Sequence, residues 1–482
     1  MKSTRIFLLA SLSLSLVACN DDSDNETNPD KSDLSIPTTY SFESSLNEGE
    51  ESVTYTGQTK RHILINDLTA AIRSLSDDAT RDVAADLNFF FRFDGSSSDT
   101  VNYNYSISGE TITPGPTYGD ISSGKDLIGK IAGEDPALID DEFFGWSEGL
   151  DATPTPVELV DYFFSQIDAM ATDESTEQIT LTGGNSVAID KVYISNKGHD
   201  YAQLVQKFLL GAVAYSQGTA DYFKTDFSAD NTTPDASGAP YTTLQHKWDE
   251  AFGYFGAARN YNDFSDDEIA GEDGRPEFAN GYNDANGNGI VDFHSEVNLG
   301  NSSNCAKRDR KATDATNFTK ETFDAFLTGR AMLNSGKTLT ADELTDLQQA
   351  ALTASTTWEK CIAATVVHYI NKVIVDMDNF TADDSYASLD AFKDHAKHWG
   401  EMKGFALGLQ FNPDSPFRND STSLNTLKQL LALMGDAPVL ADGTQNDVAF
   451  TGGVVQYRAD LITARNTLRD VYQFSNSNAE TW

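Results

Sequence analysis

The spacing of apolar residues constrains this chain more than any other feature of its sequence. Apolar side chains recur every three or four positions in residues 157–170, directly after Pro156, a residue type that suits the first turn of a helix. Residues 201–215 repeat this spacing. Because the α-helix has a period of about 3.6 residues, each such segment carries one apolar face that must pack against other helices. We therefore expect a mainly α protein.

Several later segments show the same period. Residues 323–332 fit a helix, and Thr340 with Glu343 forms a capping box at the start of a long helix that extends to Val375. The further helical segments are 240–256, 388–410, 423–434 and 454–473. Together these segments predict a helical bundle that consists of two packed helical halves.

Strand signals are few. Residues 100–107 alternate in polarity, and residues 178–182 and 187–194 are rich in β-forming types, with a pair of glycines between them. These segments predict one or two small β-hairpins beside the helices.

The N-terminus resembles that of an exported, lipid-anchored bacterial protein. A short apolar stretch, residues 6–18, follows Lys2 and Arg5, which is the pattern of a signal peptide and is too short for a membrane-spanning helix. The stretch ends in Leu16-Val-Ala-Cys19, which resembles the lipobox of bacterial lipoproteins. This resemblance implies that Cys19 becomes the acylated first residue of the mature chain. The alternative is an ordinary signal peptide in which the cysteine is coincidental.

The same resemblance divides the chain into three parts. Residues 1–18 are the signal peptide, residues 19–36 form a polar and disordered linker, and residues 37–482 form the folded domain. The mature protein is then held by its lipid at the bacterial cell envelope, and we expect the outer membrane to carry it. The net charge of −40 excludes nucleic acid as a partner and suits either a well-solvated surface or cation binding.

Two cysteines, Cys305 and Cys361, remain in the predicted folded domain. An even number of cysteines in an oxidising compartment predicts a disulfide. The alternative is two unrelated buried thiols.

A long polar stretch, residues 262–314, is expected to be a loop, and it contains a segment, 284–296, that resembles the calcium loop of EF-hand proteins. Oxygen-bearing groups recur there at alternate positions, and Gly289 occupies the place where the loop must turn sharply. The candidate ligands are Asp284, Asn286, Asn288, the backbone carbonyl of Ile290, Asp292 and Glu296. EF-hand loops carry their bidentate acid at position twelve, which is Ser295 here, one residue before Glu296. The resemblance implies a structural calcium ion, and the alternative is a flexible Asn-Gly turn.

Histidines and carboxylates at helical spacing form two candidate sites for a transition metal or haem. His398 and Glu401 lie on neighbouring positions of one helix face, and His246 with Glu250 forms a second pair. Imidazole and carboxylate groups on facing helices are the usual ligands of metal sites inside helical bundles, and imidazole suits zinc, copper and iron. The alternative is that each histidine hydrogen-bonds within the core or faces water.

The segment His398-Trp-Gly-Glu401 also resembles the His-x-x-Glu signature of imelysins. Imelysins are all-α bacterial proteins that are lipid-anchored or periplasmic, are often regulated by iron, and are classed as peptidases. They have glycine two residues before the histidine, where this chain has Ala396. Longer segments resemble a family of uncharacterised bacterial lipoproteins discussed beside the imelysins, and these segments are 39–42, 55–59, 248–256, 368–371 and 398–412.

Three functions are consistent with these features. The first is a non-enzymatic binding lipoprotein that captures a metal ion or metal complex through His398 and Glu401. The imelysin resemblance implies iron or haem as its ligand and metal or haem uptake components as its partners. The second is a metallopeptidase of imelysin type with Glu401 as the base, which is the weaker reading because a catalytic zinc needs three protein ligands. The third is a structural surface protein stabilised by calcium alone.

Overall fold

α-Helices make up most of the structure, a computed structural model that describes residues 34–75, 82–93, 99, 101, 105–107, 110–112, 117–172 and 177–482. Numbered along the chain, the helices are α1 (Thr56–Arg73), α2 (Val83–Phe91), α3 (Tyr118–Ile121), α4 (Pro156–Thr172), α5 (Tyr201–Leu209), α6 (Thr243–Phe255), α7 (Asp266–Ile269), α8 (Asn301–Asp309), α9 (Phe318–Leu333), α10 (Ala341–Asp378), α11 (Leu389–Gly408), α12 (Ser421–Met434), α13 (Gly453–Tyr472) and α14 (Asn476–Thr481). The predicted signal peptide, Cys19 and nearly all of the predicted linker lie outside the described residues.

The prediction of a mainly α protein is confirmed, and every helix predicted from apolar spacing is present with its ends moved by a few residues. The capping box at the start of α10 is formed as expected. The backbone N–H of Glu343 donates to Oγ1 of Thr340 (3.3 Å), and the backbone N–H of Thr340 donates to Oε2 of Glu343 (2.8 Å). Two donors at the first turn of a 38-residue helix are satisfied in this way.

Helices α1 and α8 are absent from the sequence prediction because polar residues occupy much of their buried faces. In α1 the buried polar side chains include Lys60 and His62, and in α8 they include Asn301 and Arg308. The apolar period is therefore missing from α8 and is confined to the second half of α1, which shortens the pattern that identifies the other helices. The prediction of a continuous loop over residues 262–314 is therefore wrong where α7 and α8 form.

The strands of the described residues form three short antiparallel pairs. They are β1 (Tyr105–Ile107) with β2 (Glu110–Ile112), β3 (Gln178–Leu181) with β4 (Asn185–Ala188), and β5 (Thr444–Gln445) with β6 (Val448–Ala449). The prediction of small β-hairpins beside a helical body is confirmed. The strand predicted over residues 187–194 is wrong beyond Ala188, because the chain turns away from the hairpin after one further hydrogen bond, from the N–H of Ile189 to the carbonyl of Glu177 (2.8 Å).

Helix α5 continues into wider, π-helical turns at Leu210–Tyr215 and Gln217–Asp221. Here the chain crosses α11 so closely that a Cβ atom on Gly211 would lie 2.7 Å from Cα of Gly408. Only glycine allows two helical backbones to approach to this distance. The crossing fixes α5 against α11, which carries His398 and Glu401.

A buried ion pair attaches the segment before α1 to the bundle. Nε of Arg330 on α9 donates to Oδ1 of Asp249 on α6 (2.8 Å), and both side chains are fully buried. The same carboxylate oxygen accepts the hydroxyl of Tyr40 (2.9 Å), and Nη2 of Arg330 donates to Oγ of Ser52 (2.7 Å). Every charge in this network is met by a partner, as burial requires.

Residues Ile36–Trp482 form one compact unit with a continuous apolar core. Within the described residues, no helix combines the length and the apolar character needed to cross a bilayer.

A disulfide joins two helices of this unit. Cys305 of α8 is bonded to Cys361 of α10, and both residues are fully buried. The two cysteines are 56 residues apart, so the bond closes a long loop of the unfolded chain. In the chain-entropy account, closing a loop of this length stabilises the fold by about 4 kcal/mol.

We expect the Cys305→Ser, Cys361→Ser double variant to unfold at lower denaturant concentration, with a free energy of unfolding lower by about 4 kcal/mol. Urea unfolding of the oxidised protein and the variant measures this difference. Reduced wild-type protein is the matched control and should behave like the variant. Two reactive thiols per chain in the unreduced, denatured protein would contradict the pairing.

Candidate functional site

His398 lies on α11 and is oriented by an acid on the neighbouring helix α10. Its Nδ1 is 2.7 Å from Oδ2 of Asp376, and both side chains are mostly buried, with exposed fractions of 18% and 13%. Because a carboxylate accepts, Nδ1 carries a proton in this contact, and in the neutral ring Nε2 keeps its lone pair. No hydrogen bond to Nε2 is seen among the described residues. In many metal sites, a carboxylate that does not touch the metal orients the histidine ligand through the same kind of hydrogen bond.

Glu401 lies one turn further along α11 and also faces α10. Its Oε1 accepts the hydroxyl of Tyr369 (2.9 Å) and lies 3.8 Å from Nζ of Lys207 on α5. Its Oε2 is buried and has no hydrogen-bond partner among the described residues. His398 and Glu401 therefore have separate partners on α10 and leave one nitrogen and one oxygen unused.

Three cations surround Glu401, and they are Lys207 of α5 with Lys307 and Arg308 of α8. Burial lowers the pKa of Lys207 to about 8 and that of Arg308 to about 10, and in both cases the negative charge of Glu401 opposes the shift. Burial also lowers the pKa of Lys307. Asp200 is a second buried acid within electrostatic range of Glu401, so two acids face these three cations.

His368, next to Tyr369 on α10, belongs to the same region. Burial lowers its pKa to about 2, and the positive charge of Arg308 adds to the shift. Its Nδ1 is buried without a partner among the described residues. This imidazole is therefore neutral at physiological pH and supplies no charge to balance the cations.

The second predicted pair, His246 and Glu250 on α6, is not joined to the first. Nε2 of His246 lies 3.9 Å from Oε2 of Glu250, and Oε1 of Glu250 accepts the side-chain amide of Gln58 (2.9 Å). Within the described residues, no group of three or more His, Cys, Asp or Glu side chains is arranged to hold a metal ion. The structure therefore offers two separate pairs and no ready set of three protein ligands.

The calcium-like loop, residues 284–296, is closed by the side chain of Glu296. Oε1 accepts the backbone N–H groups of Ala285 (2.9 Å) and Asn286 (3.2 Å), and Oε2 accepts that of Asp292 (2.8 Å). Glu296 is buried. Its carboxylate therefore holds the two ends of the loop together from inside.

The remaining predicted ligands are half-buried or exposed, and they are Asp284, Asn286, Asn288, Ile290 and Asp292. Asp284 accepts the backbone N–H groups of Asn288 (3.1 Å) and Gly289 (2.7 Å). Burial acts to raise the pKa of Asp292, but hydrogen bonds from the next histidine and serine hold it well below its usual range. The loop is thus a compact turn held by hydrogen bonds within it.

A separate cleft of about 380 Å³ lies between the β3–β4 hairpin, the segment before α11 and residues 440–447. Tyr386 forms part of its wall and donates or accepts a 2.8 Å hydrogen bond with Nδ1 of His395. His395 is fully buried, and burial lowers its pKa to about 3. It points to this side of α11 and is not part of the site of His398.

Sequence reasoning missed most of the residues that surround His398 and Glu401. Asp376 and Tyr369 lie on α10, where the apolar period predicts a helix but not which polar residue faces α11. Arg308 lies in a segment predicted to be a loop. A buried charge on an unpredicted helix leaves no pattern in a single sequence.

The family model described as a domain of unknown function, DUF4856, matches residues 37–437. No curated protein and no solved structure matches the chain. The match covers most of the chain, including the predicted segments of resemblance and the helices that hold His398, Glu401 and their partners. The chain therefore belongs to the DUF4856 family.

Proposed function

We propose that this protein is a lipid-anchored binding protein of the bacterial cell envelope, which holds a metal complex, with iron or haem as the metal centre, at His398 and Glu401. The observation that supports this proposal is the contact between Nδ1 of His398 and Asp376, which leaves Nε2 available as a ligand. Imidazole nitrogen is a suitable ligand for iron.

A metal complex fits the site better than a bare ion does. A bare ion would take three or more protein ligands, and no such group is found within the described residues. The cations around Glu401 would also repel a bare metal ion. A complex that brings its own anionic ligands needs only one imidazole from the protein and gains from those cations.

The same features disfavour a metallopeptidase. Its base would be Glu401, but this carboxylate accepts the hydroxyl of Tyr369 and lies beside Lys207. A binding protein, by contrast, delivers its ligand unchanged. Its partners would be the metal or haem uptake components of the envelope.

We expect haem or a ferric chelate to bind the purified protein, and His398→Ala to abolish the spectral change that accompanies binding. Asp376→Asn should weaken binding by about 10- to 100-fold, since it removes the carboxylate that orients the imidazole. His246→Ala, on the second pair, is the matched control and should bind normally. Unchanged binding by His398→Ala would contradict the proposal, and peptide cleavage lost in Glu401→Gln would favour the peptidase.

Calcium binding by residues 284–296 is a second and separate proposal. It is supported by the EF-hand spacing and by the ordered turn that Glu296 closes. The three acids of the loop are not arranged as a ready ligand group, so side-chain amides and a backbone carbonyl would complete the coordination. Calcium would then serve stability rather than ligand capture.

Calcium should raise the melting temperature of the protein by a few degrees relative to chelator, because an ion bound only by the folded state adds about 3 kcal/mol at one hundred times its dissociation constant. The Asp284→Ala, Asp292→Ala variant should lose this response. Asp273→Ala with Glu277→Ala, which removes two exposed acids nearby, is the control and should keep it. An equal calcium-dependent rise in melting temperature in both variants would exclude residues 284–296 as the calcium site.

Lipid attachment at Cys19 is the third part of the proposal, supported by its lipobox resemblance. Cells fed a labelled fatty acid should label the wild-type protein and the Cys305→Ser, Cys361→Ser variant, but not Cys19→Ser. The Cys19→Ser protein should also leave the membrane fraction. Fatty-acid labelling or membrane attachment of the Cys19→Ser protein would contradict lipid attachment at Cys19.

A further inference from the structure

Two of the three guanidinium nitrogens of Arg308 are buried without a hydrogen-bond partner among the described residues. The residue is 5% exposed, and its Nε and Nη1 have no hydrogen-bond acceptor among the described residues. Leaving a charged donor buried and unpaired is costly, since burial removes its water and nothing in the chain replaces it. The carboxylate of Glu401 lies within electrostatic range of this guanidinium.

Two lysines add to the positive charge at this place. Nζ of Lys207 approaches Oε1 of Glu401 to 3.8 Å, and Lys307 also lies within electrostatic range of that carboxylate. Glu401 and Asp200, which is also buried and within electrostatic range of it, are therefore two acids facing three positive groups. In a chain with a net charge of −40, an interior excess of cations is the reverse of the overall balance.

Glu401 supplies the opposite kind of unused group. Its Oε2 is buried and accepts no hydrogen bond within the described residues, while Oε1 is occupied by Tyr369. The site thus combines free N–H donors with one free acceptor. An organic anion satisfies both kinds of group if it carries a carboxylate oxygen for the guanidinium and a hydroxyl for the carboxylate of Glu401.

We propose that a hydroxycarboxylate anion binds between α5, α8, α10 and α11, with its carboxylate on Arg308, Lys207 and Lys307 and its hydroxyl donating to Oε2 of Glu401. An N–H of a guanidinium that has no other acceptor makes a strong, charge-assisted hydrogen bond to a carboxylate oxygen. This anion binds without any metal. The further step, in which this anion is a chelating ligand of the iron in the bound metal complex, rests on the proposed function.

Two probes that differ by one hydroxyl test the proposal, and these are citrate and tricarballylate. Calorimetric titration of metal-free full-length protein should show citrate binding at least tenfold tighter than tricarballylate, as one hydrogen bond to a charged group predicts. Equal affinity for the two would overturn the role of Glu401. Phosphate binding without citrate binding would overturn the carboxylate class.

Arg308→Gln should weaken citrate binding at least tenfold, and Lys311→Gln, which removes an exposed charge just after α8, should leave it unchanged. Circular dichroism and urea unfolding check that both variants are folded. His398→Ala should still bind citrate in metal-free buffer and fail with the metal complex, so the two proposals fail separately. Citrate binding that is absent, or unchanged in folded Arg308→Gln, would overturn this inference.

Discussion

The buried carboxylate of Glu359 holds the bundle together at the middle of α10. It is fully buried and accepts hydrogen bonds from Tyr215, Asn412, Ser415 and Tyr472, which belong to the π-helical extension of α5, the segment after α11 and helix α13. Burial raises its pKa, and these hydrogen bonds oppose the shift. A carboxylate that loses its water must have such donors, so three segments of the chain are fixed to one point on α10.

That attachment sets the register in which α10 and α11 run past each other. Along the antiparallel pair, Glu359 meets Asn412, Tyr369 meets Glu401, and Asp376 meets His398. Each contact is a polar group on α10 facing a polar group near or on α11. The first is fully satisfied, whereas among the described residues Oε2 of Glu401 has no partner and His398 is bonded through Nδ1 alone. These two side chains lie where α5 and α8, which supply the cations, pack against α10 and α11.

The apolar period of the sequence is enough to predict most of the helices, because a face that packs against a core must repeat every three or four residues. It identifies α10 and its capping box, and it places His398 and Glu401 on one helix face. It does not identify α1 or α8, whose buried faces carry groups such as Lys60 and Arg308. The partners of a buried charge are set by packing between distant segments, which spacing within one segment does not report. Asp376 and Arg308 therefore emerge only from the structure.

The account of function depends on one atom, Nε2 of His398, being unprotonated and available. Nitrogen-15 NMR of the ligand-free protein, with His398 assigned by comparison with His398→Gln, measures directly which ring nitrogen carries the proton. The account predicts a proton on Nδ1, hydrogen-bonded to Asp376, and an unprotonated Nε2 that changes its shift when the metal complex binds. A proton on Nε2 in the neutral ring, or an Nε2 signal that is unaffected by the complex, would contradict it.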